Sequence, residues 1–277
     1  MTQAARTIDE INRRIGAGTA NVCSISQLTE GERENLDIVT VAFSSPVSGT
    51  AAMLCVPVAG RGVFTRAEEI TLNGVPGVPG PAPNERLGLV DTMIYAESED
   101  EVTHYCGAQL FCDLLRGEKI EVECTAVEGT HFSAVTEIAE MEFARAYAFN
   151  AFVDQGLPMS AWKALGRGSR ILFNEANGII LGRGTRDGIR DQRSWSLAAD
   201  MYLMNPDVME SAGKSARHGI GNMIAVAIPV LNASILDDLS EWEVKRAGGE
   251  HLIAASQLLN DRIAARQFSL TDTDAQF

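Results

Sequence analysis

The apolar positions of this chain recur in two rhythms, one helical and one alternating, mixed in no regular order. Ile8, Ile11 and Ile15 fall at helical spacing behind Thr7, with Glu10 three residues on. That capping-box pattern predicts a first helix to about Ile15, stopped by Gly16 or Gly18. Ile38 to Phe43 is a short β-rich run. Ser44-Ser45-Pro46-Val47-Ser48-Gly49-Thr50 breaks it, and Ala51 to Val58 resumes as a second strand. Glu69 to Leu72 and Leu89 to Tyr95 are further strands. Thr103 to Leu115 reads as a helix with Leu110, Phe111, Leu114 and Leu115 on its apolar side. From Lys119 to Val127, Ile120, Val122, Cys124 and Ala126 alternate with polar residues. That is the period of a half-buried strand, and it turns Cys124 inward.

Glu140 to Phe152 predicts another helix. Arg170 to Phe173 and Gly178 to Leu181 predict strands joined through Asn177-Gly178, a hairpin signal. Ser196 to Met201 and Met223 to Val230 are strands, and Pro206 opens a short helix. Ile235 to Val244 and His251 to Phe268 close the chain as helices, with residues 269–277 expected to fray. The sum is a mixed α/β (α+β) fold, a single large domain over residues 1–277 with short strands and flanking helices. No Gly-x-Gly-x-x-Gly follows a strand and no P-loop occurs, so a nucleotide-binding unit is not supported.

Between two of these strands lies a stiff segment, Asn73 to Asp91. Pro76, Pro79, Pro81 and Pro83 alternate there with Gly74, Gly77 and Gly80, and it ends in Asn84, Glu85 and Arg86. Glycine permits close backbone approach, while proline fixes φ and removes a donor. The segment is therefore expected to be neither helix nor central strand, and to serve as a binding loop or a surface crossover. A second feature is an echo: Gly166-Arg167-Gly168-Ser169-Arg170 recurs as Gly182-Arg183-Gly184-Thr185-Arg186. Glycines and arginines beside a strand end make either an anion nest or a pair of solvated turns.

Composition narrows the chemistry. The 277 residues are 45% hydrophobic but only 6% aromatic, so the core must rest on aliphatic residues. A net charge of −14 argues against a nucleic-acid partner, and obliges any anionic substrate to find a local basic pocket. The apolar run Met223 to Leu231 is too short to span a membrane, and the N-terminus has no apolar leader region. The expectation is a cytoplasmic protein without a membrane partner. Five cysteines (23, 55, 106, 112 and 124) are odd in number and form no framework, so they are expected as thiols.

Several segments together resemble one family, the homocysteine-biosynthesis proteins of archaea and anaerobic bacteria. They are Arg6 to Asn12, Asp37 to Thr40, Ser48-Gly49-Thr50-Ala51-Ala52, Asn84-Glu85-Arg86-Leu87-Gly88, Gly166 to Arg186 and Ala225 to Asn232. The Gly/Pro segment and the Ser-Gly-Thr-Ala turn look closest to the branch called methanogenesis marker protein sixteen. The resemblance implies conversion of a small aldehyde to a thiol by sulfur insertion: aspartate semialdehyde to homocysteine in the family, sulfoacetaldehyde to coenzyme M in that branch. A non-catalytic sulfur carrier or scaffold for a redox partner is the reading from another class. The homocysteine enzymes carry a cysteine in the turn before Ser48, where Val47 stands here. They carry a second in a Gly-Thr-Asp-Cys stretch, matched here by Gly129-Thr130-His131-Phe132.

With both family cysteines absent, the chemistry must sit elsewhere. Cys106, in His104-Tyr105-Cys106-Gly107, falls at a helix start, where free N–H groups and the dipole favour a thiolate. His104 is the acid/base candidate beside it, and Cys55, after the Ser-Gly-Thr turn, is the second thiol of a reducing pair. A zinc site from His104, Cys106 and Cys112 matches no usual ligand spacing, and no metal is expected. For the anionic substrate the candidates are Arg86, Arg183 and Arg186, with Glu85 available to an ammonium group. No tightly bound cofactor is expected. Sulfur comes from sulfide or a persulfide, and electrons from an external reductant such as a ferredoxin-like partner. A homo-oligomer is the expected assembly.

Overall fold

A computed structural model describes residues 6–80, 84–97, 105–152, 157–183, 194–216, 219–246 and 249–271. The mixed α/β expectation holds: among these residues, thirteen strands join in one sheet, with helices packed on it. The strands are β1 (Val22–Ser24), β2 (Ile38–Pro46), β3 (Thr50–Pro57), β4 (Ala67–Leu72), β5 (Val75–Pro79), β6 (Leu89–Tyr95) and β7 (Ile120–Ala126). They continue as β8 (His131–Thr136), β9 (Phe143–Phe152), β10 (Arg170–Phe173), β11 (Ala176–Arg183), β12 (Ser194–Asp200) and β13 (Gly221–Pro229). Their order across the sheet is β1-β2-β13-β10-β11-β12-β9-β3-β6-β5-β4-β7-β8. The sheet curls, for β2 touches β9 and β3 touches β8, strands five places apart in that order.

One face of the curled sheet encloses the main core. Val39, Val41 and Phe43 of β2 meet Ala52, Leu54 and Val56 of β3, Ala144, Ala146 and Ala148 of β9, and Ile224, Val226 and Ile228 of β13 there. The other face of β2, β13 and β10 packs on α1 (Ile8–Ala17), α4 (Pro206–Ala216) and α6 (Glu250–Ala264), through Ile11, Ile15, Ala212, Leu252 and Leu259. Strands β2 and β13 are thus covered on both sides, which is why they read as unbroken apolar runs. The helices α2 (Gly107–Arg116), α3 (Met159–Ala164) and α5 (Ser234–Arg246) complete the set. Thr7 caps α1, accepting the Glu10 N–H at 3.2 Å, and Gly18 ends it with φ +70°.

Four sequence expectations are corrected. Residues 143–152 are strand, not helix. Phe143, Arg145, Tyr147 and Phe149 point outward while Ala144, Ala146 and Ala148 fill the core, a period of two hidden by alanine's helix preference. The Gly/Pro segment does hold a central strand, since β5 lies between β4 and β6. It pairs with β4 through Val75 to Gly77 and with β6 only through Val78 and Pro79, so each proline meets a ladder of just a few bonds. Asn73 and Gly74, at φ 48° and 79°, make the tight turn into it. The β10–β11 turn is Asn174-Glu175, also with both φ positive, not Asn177-Gly178, which lies inside β11. Finally, the expected frayed tail is held at its start: the Leu270 N–H donates to Asn12 at 3.0 Å, and Thr271 bridges to Ser169.

Candidate functional site

Cys106 is the N-cap residue of α2. The Cys106 N–H donates to Gln109 Oε1 at 2.7 Å, the side-chain half of a capping box between these two residues. The Cys106 side chain therefore stands at the start of a ten-residue helix, where the first backbone N–H groups have no partner within the helix. The helix is set tightly against β6. A Cβ on Gly107 would overlap the Tyr95 carbonyl oxygen, so only glycine lets the backbone approach this closely. The Ala108 N–H donates to the Glu97 carbonyl at 3.1 Å, and the Ala96 N–H to the Thr50 carbonyl at 2.9 Å. Two hydrogen bonds therefore tie the start of α2 to the turn Pro46–Thr50.

That turn is braced from below by buried side-chain amides. Asn222 Nδ2 donates to Thr50 Oγ1 at 2.8 Å and to the Pro46 carbonyl at 3.4 Å. Asn174 Nδ2 donates to Asn222 Oδ1 at 3.2 Å, and Asn174 Oδ1 accepts the Met223 N–H at 2.8 Å. Both asparagines are fully buried. They lock the β2–β3 turn, the β10–β11 turn and the start of β13 together, so this end of the sheet is rigid beneath Cys106. Beside Cys106, the Tyr105 hydroxyl donates to Asp113 at 2.8 Å and accepts from Asn73 Nδ2 at 3.1 Å. Burial, with the Asp113 carboxylate, raises that phenol above its usual range.

Burial raises the thiols of Cys23, Cys55, Cys112 and Cys124. Cys55 is 4% exposed on β3, and burial pushes it up to about 12, helped by its hydrogen bond to Asp91 and the nearby charges of Asp91 and Glu142. Cys112 is likewise pushed to about 12 by burial, partly offset by Arg116. Burial and then Glu85 take Cys124 to about 11. Cys23 is raised mainly by burial. The reading of Cys55 as the reducing partner of Cys106 does not fit this geometry. Cys55 pairs with Asp91, four residues along β6 from Tyr95 and so about 13 Å from it. The start of α2 lies beyond Tyr95, toward Glu97, whereas a disulfide needs Cα atoms within about 7 Å.

The sequence candidates divide between the two ends of the sheet. Arg183 is level with Trp195 and Ala151, at the same end as the Pro46–Thr50 turn and Cys106. Glu85 and Arg86 precede β6 at the opposite end, near Cys55 and Phe143. Eight residues of β9, about 26 Å, separate the level of Arg183 from that of Phe143, so Arg86 and Arg183 do not share a cavity. Both arginines are solvent-exposed, while Glu85 is 1% exposed with Oε2 unpartnered. His104 and Arg186 lie outside the described residues. Asn84, singled out only as part of a motif, donates to Asp91 at 2.8 Å and to Cys55 Sγ at 3.9 Å. Sequence reading also missed Arg145 and Tyr147, which share an open groove with Arg170 and Asp200. The alternation along β9 was the signal for them. No group of three or more His, Cys, Asp or Glu side chains suited to a metal ion occurs among the described residues.

Comparison with known proteins gives this geometry a context. A family model described as "homocysteine biosynthesis enzyme, sulfur-incorporation" matches residues 20–152 and 160–244. An uncharacterized protein of Methanothermobacter thermautotrophicus is 31% identical over 280 residues, covering 84% of this chain and 65% of that protein. Another, of Methanocaldococcus jannaschii, is 28% identical over 237 residues, covering 73% of this chain and 59% of its own length. The chain thus spans less than two thirds of each of these relatives. No solved structure matches it, and no described helix is long and apolar enough to cross a membrane. The matched segments contain the Pro46–Thr50 turn, Cys106 and the asparagine brace, and the chain belongs to the homocysteine-biosynthesis family of sulfur-incorporating enzymes.

Proposed function

We propose that this chain inserts sulfur into a small anionic aldehyde, converting sulfoacetaldehyde to coenzyme M (2-mercaptoethanesulfonate), with Cys106 as the sulfur-bearing thiol. The observation that carries the reading is the attachment of the Cys106 helix start to the Pro46–Thr50 turn. The turn carries Val47 where the resemblance implies a family cysteine, and Cys106 brings a thiol to the same end of the sheet. Starting from hydrogen sulfide, the aldehyde takes up one sulfide, two electrons and two protons, and leaves as the thiol with loss of one water. The carbonyl oxygen departs in that water, and the new carbon–sulfur bond replaces it. A persulfide on Cys106 needs two further electrons, which return its outer sulfur to the sulfide level and free the thiol. The electrons come from an external dithiol or redox carrier, since Cys55 is remote and protonated.

In this reading the start of α2 presents the sulfur, and the rigid turn fixes where the aldehyde meets it. Arg183, at the same end, supplies a fork for the sulfonate. The family description favours a second substrate, aspartate semialdehyde, giving homocysteine. The chain incubated with sulfide, dithiothreitol and each aldehyde in turn tests both. Sulfoacetaldehyde should yield its thiol with kcat/KM at least tenfold above aspartate semialdehyde. The reverse preference would transfer the reading to homocysteine. A protein that accepts sulfane sulfur yet turns over neither aldehyde would be a carrier.

A further inference from the structure

A groove of about 430 Å³ opens on the face of the sheet turned away from the main core, across β9, β12, β11 and β10. That volume suits a small molecule. Arg145 and Tyr147 on β9 and Arg170 on β10 line its two sides, with Asn177 of β11 and Asp200 of β12 between. The two outer strands stand three strand spacings apart, about 14 Å at the backbone. Each guanidinium is steadied by a ring rather than by an acid: Arg145 lies over Phe143 at 5.4 Å, and Arg170 over Phe268 at 5.8 Å. Arg170 also donates to the Ser269 hydroxyl at 3.2 Å. Among the described residues neither arginine forms an ion pair. Stacking on a ring leaves the N–H edge of a guanidinium open to a carboxylate. Two unneutralised arginines in one groove stand out in a chain of net charge −14.

Asp200 is the register partner of Arg145, yet its carboxylate accepts the Tyr202 N–H at 3.0 Å instead. It places negative charge between the two arginines. A compact polyanion in the middle of the groove would be repelled, whereas a ligand with its charges at its ends would not. We propose that the groove binds a small linear dicarboxylate, one carboxylate on each arginine. Arg145 sits between Ala144 and Ala146, which face the core that Cys106 packs against, so this site is distinct from the thiol site.

Calorimetric titration of the full chain with adipate, hexanoate and inorganic sulfate tests the proposal. Adipate should bind at least tenfold more tightly than hexanoate or sulfate. Arg145→Gln should remove that preference, and Arg145→Lys should restore part of it. Asp200→Asn keeps an acceptor for the Tyr202 N–H and should tighten adipate binding severalfold. Equal affinity for adipate and hexanoate would overturn the proposal, as would a preference that survives Arg145→Gln, or adipate binding unchanged or weakened by Asp200→Asn. Displacement of adipate by sulfoacetaldehyde would show the groove to be the aldehyde's own site, which also contradicts a separate function.

Discussion

Cysteine chemistry in this chain is decided by what each sulfur touches. Cys55 and Cys112 are held near 12 and Cys124 near 11, in each case chiefly because burial disfavours the thiolate. A raised thiol binds its proton more tightly folded than unfolded. Its contribution to stability is therefore complete below pH 9 and lost as pH rises from 9 toward 11 and 12. Cys106 instead is only partly buried, at the start of α2. Brief iodoacetamide treatment at about pH 8, followed by peptide mass mapping, should label Cys106 first and leave Cys55, Cys112 and Cys124 largely unmodified. Equal labelling of Cys55 would contradict this ordering. The asparagine brace allows a second test. Asn222→Ala strands Thr50 Oγ1 and one Asn174 donor inside the protein. That should cost about 1–3 kcal/mol in urea unfolding.

At the scale of elements, some sequence signals were direct and others were outvoted. Thr7, Glu10 and Gly18 bounded α1 because capping is local chemistry, read without tertiary knowledge. Pro206 opened α4 for the same reason. The strand β9 was lost because Ala144, Ala146 and Ala148 are strong helix formers. Only the curl of the sheet, which brings β9 near β2, makes small residues necessary on its inner face. With β9 misread, Arg145, Tyr147 and the groove they line could not be seen as one surface. The expected Thr103–Leu115 helix was nearly right, and the helix itself begins at Gly107, one residue after Cys106. In an exposed helix, Gly→Ala stabilises by about 1 kcal/mol. Gly107→Ala should do the opposite, because its Cβ would overlap the Tyr95 carbonyl oxygen and push the Cys106 helix off the sheet. A lower thermal midpoint together with slower Cys106 alkylation is the expected result, and a stabilised protein would contradict the close approach.

For the molecule as a whole, the family resemblance was legible across most of the chain, but the grouping of its residues was not. Sequence places Cys55 just after the Ser48–Thr50 turn and Cys106 far from it. The extended strand carries Cys55 away toward Asp91, and α2 brings Cys106 back. Likewise Arg86 and Arg183, paired by their glycine-rich neighbourhoods, fall at opposite ends of the sheet. Sequence distance misleads here because a strand advances about 3.3 Å per residue, so a few residues cross the whole sheet. The central claim is that sulfur is carried on Cys106 at the turn end. Intact-mass and peptide-mass analysis after brief treatment with polysulfide, followed by sulfoacetaldehyde and dithiothreitol, tests it most directly. The account predicts a single sulfur added at Cys106, discharged as 2-mercaptoethanesulfonate on adding aldehyde and reductant, and neither adduct nor product in a folded Cys106→Ser variant. Wild-type rates of thiol formation in Cys106→Ser, or a productive adduct on Cys55, would contradict it.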